Sequence, residues 1–257
     1  MEHRSLRVAR EDRFAVVTLA RPEKRNALSE EVLAELRDAL AQVGDSPARG
    51  VILAAEGPVF CAGHDFGDMA GRDLAAMRRL LTLCSEVMQS IQHMPQPVCA
   101  QVEGLATAGG CQLVASCDLA VAGESARFAV PGGRGGWFCT TPGVALARAV
   151  SHKHALEMLL TGNPIDARTA AECGLVNRVV PDGAVAQETR SLLGLATRGS
   201  AASKALGKRA FYRQVDMPLA DAYTEAGEAM AQASQTDAAR EGMAAFLDKR
   251  KPQFGDR

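Results

Sequence analysis

Excess charge of either sign is missing from this sequence: 29 Lys and Arg stand against 30 Asp and Glu in 257 residues, a formal net charge of −1. A phosphate backbone is bound through a broad basic surface, so the balance argues against a nucleic-acid partner. Long apolar runs are missing too. No window of about 18 uninterrupted apolar residues occurs, and Met1 to Phe14 (MEHRSLRVAREDRF) is charged along its length. Neither a membrane-spanning helix nor a secretory signal is expected, and the expected location is the cytoplasm. The seven cysteines, Cys61, Cys84, Cys99, Cys111, Cys117, Cys139 and Cys173, form no C-x-x-C pair and sit mostly in apolar runs. Buried reduced thiols are therefore expected in place of a disulfide framework. Of the five histidines, His152 and His154 form an H-x-H, but side chains two apart on a helix face different ways, so no metal site is expected. The G-x-S-x-G elbow, the G-x-x-x-x-G-K-[ST] phosphate loop and H-E-x-x-H are all absent. The run Gly132-Gly133-Arg134-Gly135-Gly136 lacks the G-x-G-x-x-G spacing of a dinucleotide fold.

What is present is an alternation of short extended runs with helical patterns, the mark of an α/β chain. Ala15 to Leu19, Gly50 to Ala54, Val98 to Val102, Asp118 to Ala122, Arg127 to Ala129 and Val176 to Val180 read as strands. Ser29 reads as the cap of a helix whose first turn holds Glu30 and Glu31, and Val32, Leu33, Leu36, Leu40 and Val43 form one apolar stripe on it. A second helix is predicted from Leu74 to Gln92, ended by Pro95 and Pro97, and a buried one from Cys111 to Ser116. Pro131 to Pro142 is a glycine-dense loop. From Gly143 the pattern is almost all helical: Val144 to Thr161, Asp166 to Cys173, and an alanine-rich tail from Ser200 to Lys249. In that tail Leu219, Ala222, Tyr223, Ala226 and Met230 repeat at helical spacing, a packing surface for the tail itself or for another subunit.

Two loops are built alike, as strand, small-residue turn and helix: Phe60-Cys61-Ala62-Gly63-His64-Asp65 and Ala108-Gly109-Gly110-Cys111. Backbone N–H groups at such turns have no intrahelical partner and can converge on one oxygen, making an oxyanion hole. The same glycines equally suit tight turns and close helix packing with no ligand at all.

With those turns in view, nearly the whole chain resembles the crotonase superfamily, the enoyl-CoA hydratase and isomerase family. The resemblance runs through RPEKRNALS (Arg21 to Ser29), GPVFCAGHD (Gly57 to Asp65), VEGLATAGGCQLVASCDLAVA (Val102 to Ala122), ARFAVPG (Ala126 to Gly132), ALEMLLTGNPIDARTAAECGLVNRVV (Ala155 to Val180) and EGMAAFLDKRKPQF (Glu241 to Phe254). It implies an α/β spiral core of repeated ββα units over residues 1–195 and a helical trimerisation region over 196–257, the trimers often paired as hexamers. It also implies a bent acyl-CoA thioester as substrate, coenzyme A entering as part of that thioester, with no covalently bound cofactor. The thioester oxygen would be held by the backbone amides of His64 and Gly109. Adenine and phosphate recognition would come from backbone at Ala62 and at Asp65, Phe66 and Gly67, helped by Lys24, Arg25 and, from a neighbouring subunit, Phe246 and Lys249. Each of these basic residues also suits a solvated surface. The His64 side chain is either a turn residue tolerating an unusual backbone or an acid/base group.

The sequence departs from the family's hydratases where their chemistry is concentrated. Hydratases add water with two glutamates, and the matching positions here are Gln112 and Gly132. A placed acid or base contributes typically about 10²–10⁴-fold, and Gln can orient a water but cannot take its proton at neutral pH. Ordinary enoyl-CoA hydration is therefore expected to be weak, and glutamates restored at both positions are expected to raise it. Three alternatives stay open: another group in the site, such as His64, Asp65, Asp68 or Cys139 to Thr141; a borrowed base, as in the naphthoyl-CoA synthase branch, where a bicarbonate sits beside the matching glycine; or an acyl-CoA binder with no reaction of its own. The segments GHDF, AGGCQLVASCDLAVA and FCTTPGVALARAV look most like the enoyl-CoA hydratase domain-containing protein 3 branch, whose members also lack the glutamate pair.

Overall fold

A computed structural model describes residues 4–255. Strand β1 (Leu6–Glu11) turns back through Asp12, in left-handed backbone at φ 54°, onto β2 (Phe14–Leu19), and the two pair antiparallel. No strand is legible before Ala15 because only Leu6 of β1 is buried, leaving no alternation to read. After a 3₁₀ turn (Pro22–Lys24), helix α1 (Glu30–Gly44) begins at Ser29, whose hydroxyl accepts the Val32 N–H. Strand β3 (Gly50–Ala55) is followed by the short α2 (Phe66–Met69) and by α3 (Leu74–His93), capped by Asp73. Next come β4 (Val98–Val102), β5 (Leu105–Thr107), α4 (Gly109–Ser116), β6 (Leu119–Gly123) and β7 (Arg127–Ala129).

The single helix predicted over Val144 to Thr161 is two: α5 (Thr140–Ala149) and α6 (His152–Thr161). Val150 is extended between them, and the Ser151 side chain caps α6 by accepting the His154 N–H. Then follow β8 (Ile165–Asp166), α7 (Ala167–Glu172), β9 (Arg178–Val180) and α8 (Val185–Ala196). The chain ends on α9 (Ala201–Gln214), α10 (Leu219–Ala233) and α11 (Asp237–Leu247).

The large sheet has the order β1-β2-β3-β4-β6-β9, parallel after the first hairpin, and the small one is β5-β7-β8. Strand β4 runs on into β5 of the other sheet, α4 returns, and β6 runs on into β7. Those two turns of the spiral therefore lay one strand in each sheet. Alternation explains the layers: Val17, Leu19, Val51 and Leu53 face α1 and α3, whereas Val16, Ile52, Cys99 and Val121 face Val185 and Leu193 of α8. Burying each such side chain contributes roughly 1.5–3 kcal/mol over leaving it in water.

Helix α9 is clasped to this core by charge. Lys208 Nζ donates to the Ile91 and Gln96 carbonyls and to Asp118 Oδ2, the Tyr212 hydroxyl donates to Asp118 Oδ1, and Asp118 also accepts the Val98 N–H. Burial pushes the Asp118 carboxyl up and the Lys208 ammonium down, and each partner's charge opposes the shift. All seven cysteines are free thiols, and burial raises those of Cys61, Cys84, Cys99 and Cys111 to about 12. Among the described residues no helix is long and apolar enough to cross a membrane.

Candidate active site

Local chemistry first locks two loops together. Asn26, buried and in left-handed backbone, accepts the Arg21 N–H and donates to the carbonyls of Glu56 and Val59, so the segment after β2 is stitched to the loop after β3. Leu28 then pairs with His64 as one parallel bridge, its N–H on the Gly63 carbonyl and its own carbonyl accepting the Asp65 N–H. The second loop comes up against the first where glycine leaves space: a β-carbon on Gly63 (φ +84°) would lie 2.8 Å from Ala108 Cβ, and one on Gly110 would lie 2.2 Å from the Cys61 carbonyl oxygen. Between those contacts Ala108 is held at φ 50°, ψ −115°, with its N–H on the Ala129 carbonyl. A non-glycine residue in such backbone costs on the order of 1–3 kcal/mol and persists only where its surroundings enforce it.

The strained turn points α4 at the first loop. Gly109 is the first residue of α4, so its N–H has no intrahelical partner, and the His64 N–H faces away from the Leu28 bridge. Among the described residues neither N–H has a hydrogen-bond acceptor. Both residues border a cavity of about 340 Å³, walled also by Lys24, Asp65, Phe66, Leu81, Gly132, Trp137, Phe138 and Cys139 to Pro142. The lining is mainly apolar with a few convergent polar groups, the usual make-up of a small-molecule site.

Charge in and around the cavity is sparse. Burial lowers the His64 imidazole below its ordinary pKa, with the nearby Asp68 charge pulling the other way. Its Nε2 is buried with no partner. Burial works against the Asp68 carboxylate, yet the Glu30 N–H and the Arg72 guanidinium hold it below the usual range. Burial raises the Cys139 thiol. Among the described residues that line the cavity, Asp65 is the one carboxylate. Asp65 reaches the cavity wall, but its carboxylate caps α2 by accepting the Gly67 and Asp68 N–H groups.

Of the residues named from sequence, Lys24, Ala62, His64, Asp65, Phe66, Gly109 and Gly132 meet in this wall. Gln112 does not: it is buried on α4 with Oε1 unpartnered. Arg25 is exposed outside the cavity and gives its carbonyl to the Ala62 N–H. The Ala62, Asp65 and Gly67 N–H groups are all bonded within the protein. Phe246, near the end of α11, and Lys249, just beyond it, are exposed, and neither lines this cavity.

A larger correction concerns Gly132. A β-carbon there would lie 2.2 Å from the Trp137 carbonyl oxygen and 2.6 Å from Cys139 Sγ, so the chain beyond it folds into the space a side chain would need. Room for a restored glutamate, or for a bicarbonate beside the glycine, is not left open in that direction. Leu81, Trp137 and Phe138 were not singled out as site residues from sequence. The one signal was the molecule's sole tryptophan beside a phenylalanine inside a glycine-dense loop.

The fold and this site define a class. The profile of the Enoyl-CoA hydratase/isomerase family matches residues 9–257, and the chain belongs to that family. Among its relatives, the mouse mitochondrial protein Enoyl-CoA hydratase domain-containing protein 3 is 44% identical over 255 residues, covering 98% of this chain and 84% of that protein. The solved human enoyl Coenzyme A hydratase domain-containing protein 3 is 42% identical with a TM-score of 0.93, over 97% of this chain and 100% of that one. A solved Mycobacterium smegmatis enoyl-CoA hydratase is 45% identical with a TM-score of 0.93, over 97% and 98%. The mitochondrial mouse relative overturns the cytoplasmic expectation. The physical reason is that a charged start speaks against an apolar secretory segment alone, since organelle-targeting segments are themselves charged.

Proposed function

We propose that this protein binds acyl-CoA thioesters and stabilises the thioester enolate between the His64 and Gly109 N–H groups. The supporting observation is that these two donors, on facing turns, both border the cavity and both lack an acceptor. A thioester oxygen bound there acidifies the α-carbon: when solvent takes the α-proton, the electron pair of the broken C–H bond moves onto an oxygen that is already hydrogen-bonded, and the carbon is deuterated when a solvent deuteron returns to it. One such donor is typically worth about 2.7–4 kcal/mol in the transition state. Trp137, Phe138 and Leu81 accept the acyl chain, Lys24 and Arg25 meet phosphate, and the Ala62 carbonyl accepts from the adenine amino group.

Classical hydration is weak, because Gln112 and Gly132 supply no carboxylate. The test is a mixed panel of enoyl-, hydroxyacyl- and malonyl-type CoA thioesters in deuterated water, read by mass spectrometry. The expected result is deuterium at the α-carbon or a product from at least one thioester, with crotonyl-CoA hydration orders of magnitude below ordinary hydratases. Hydration at the ordinary level would remove the claim that the missing carboxylates matter. No binding of any thioester would remove the reading itself.

The filled space beside Gly132 favours a second reading, an acyl-CoA sensor or assembly subunit without a reaction. It expects tight binding by calorimetry with neither exchange nor product. In both readings residues 196–257 form an oligomerisation region: three chains, or two sets of three, pack through the tail and bring Phe246 and Lys249 to a neighbour's coenzyme A.

A further inference from the structure

We infer that the His64 side chain is a third donor to the ligand oxygen, its Nδ1–H joining the two backbone N–H groups, and this inference rests on the reading of the site as a thioester enolate site. His64 lines the cavity, and its Nδ1 lies beside Gly109: a β-carbon built on Gly109 would lie 3.4 Å from it. The other nitrogen, Nε2, is buried without a hydrogen-bond partner.

That asymmetry decides the tautomer. A buried N–H with no acceptor is among the rarest arrangements in folded proteins, whereas an acceptor with an unused lone pair is better tolerated. The single proton of the neutral ring therefore belongs on Nδ1, leaving a lone pair at the buried Nε2. Asp68, the carboxylate whose charge reaches the ring, does not compete for a proton at Nε2: its Oδ2 accepts the Glu30 N–H and its Oδ1 accepts Arg72. Burial keeps the ring neutral, so it enters the site as a dipole donor and brings no full charge. A neutral imidazole beside an oxyanion stabilises developing charge and still leaves the oxygen basic enough to collapse back to a thioester, as in the neutral-histidine electrophile of triosephosphate isomerase. The main chain and side chain of one residue thus serve the same oxygen, in a protein where carboxylate chemistry is missing.

The experiment uses a cinnamoyl-CoA chromophore, whose absorbance moves to longer wavelength as its carbonyl is polarised, bound to the full-length protein and to three variants. His64→Ala and His64→Leu keep the backbone N–H and lose the ring donor. His64→Asn places an amide N–H close to the position of Nδ1. The expected result is a red shift in the parent protein, a shift reduced by about half or more in the Ala and Leu variants, and recovery in Asn, with dissociation constants changing less than tenfold. Equal shifts in the parent and both donor-less variants would overturn the inference while leaving the enolate site intact. Equal loss in Asn and Leu would overturn it as well, since the ring would then act by shape. Absence of probe binding to the parent protein would remove the thioester reading, and this inference with it.

Discussion

Gly132 carries the sharpest consequence at the scale of single residues. In sequence it looked like a vacancy that a glutamate could refill; in three dimensions the Trp137 carbonyl and the Cys139 thiol occupy the direction a side chain would take. The double variant Gln112→Glu, Gly132→Glu is therefore expected to lose stability on the order of 1–3 kcal/mol through overpacking and to leave crotonyl-CoA hydration at the parent level. Thermal unfolding and a hydration assay on the same preparation check both halves, and a large gain in hydration would show that the 131–139 loop yields easily. Asn26 teaches the complementary lesson. It sits inside the quoted RPEKRNALS segment, yet nothing in the sequence said that its amide joins two loops, because hydrogen bonds spanning 30 and 33 residues leave no local pattern.

At the scale of elements, α9 shows how a helix with no fully buried residue stays in place. Lys208 and Asp118 are each largely hidden and hydrogen-bonded throughout, with side-chain exposures of 9% and 15%. Breaking one partner of such a pair strands the other, so Lys208→Met is expected to cost about 3–5 kcal/mol. Adding Asp118→Asn should recover part of that loss, and chemical denaturation of the two variants checks the coupling. The end of α11 has a pH-sensitive strap of its own. Glu241 accepts two hydrogen bonds from Arg250 and one from the Gln253 N–H, which together pull its carboxyl down to about 2. A carboxyl depressed in the folded state stabilises it fully above the unfolded value, and that contribution is lost as pH falls through the folded one. Residues 250–254 are accordingly expected to loosen between about pH 4.5 and 2, seen as faster hydrogen exchange at Gln253, and Glu241→Gln should remove the dependence. Helix α5 is the element sequence reading misplaced: Val150 and Ser151 carry a capping signal, but the apolar periodicity runs across it, and the cap becomes visible once the His154 N–H is seen on Ser151.

For the whole molecule, the alanine-rich tail is where folding of one chain stops short. Leu219, Tyr223 and Met230 lie on one stripe of α10, each about three-quarters exposed, and Phe246 and Leu247 of α11 are more exposed still or nearly so. Apolar area of that extent on consecutive helices is what an interface would cover, and under the proposed oligomer sedimentation is expected to give a trimer or a pair of trimers, with Tyr223→Glu plus Met230→Glu shifting it to monomer. Read alone, the sequence establishes the family, the α/β alternation, the two small-residue turns and the identity of Gln112 and Gly132. These depend on periodicity, glycine spacing and residue identity, all of which are local in the chain. Tertiary structure alone decided that the two orphan N–H groups share one cavity, that Gly132 opens onto filled space, that Gln112 stands outside the wall, and that Trp137 and Phe138 stand inside it. Apart from the Gly132 contact, which is made within one loop, each of those facts depends on segments far apart in sequence, fixed by how the spiral stacks one turn on the next.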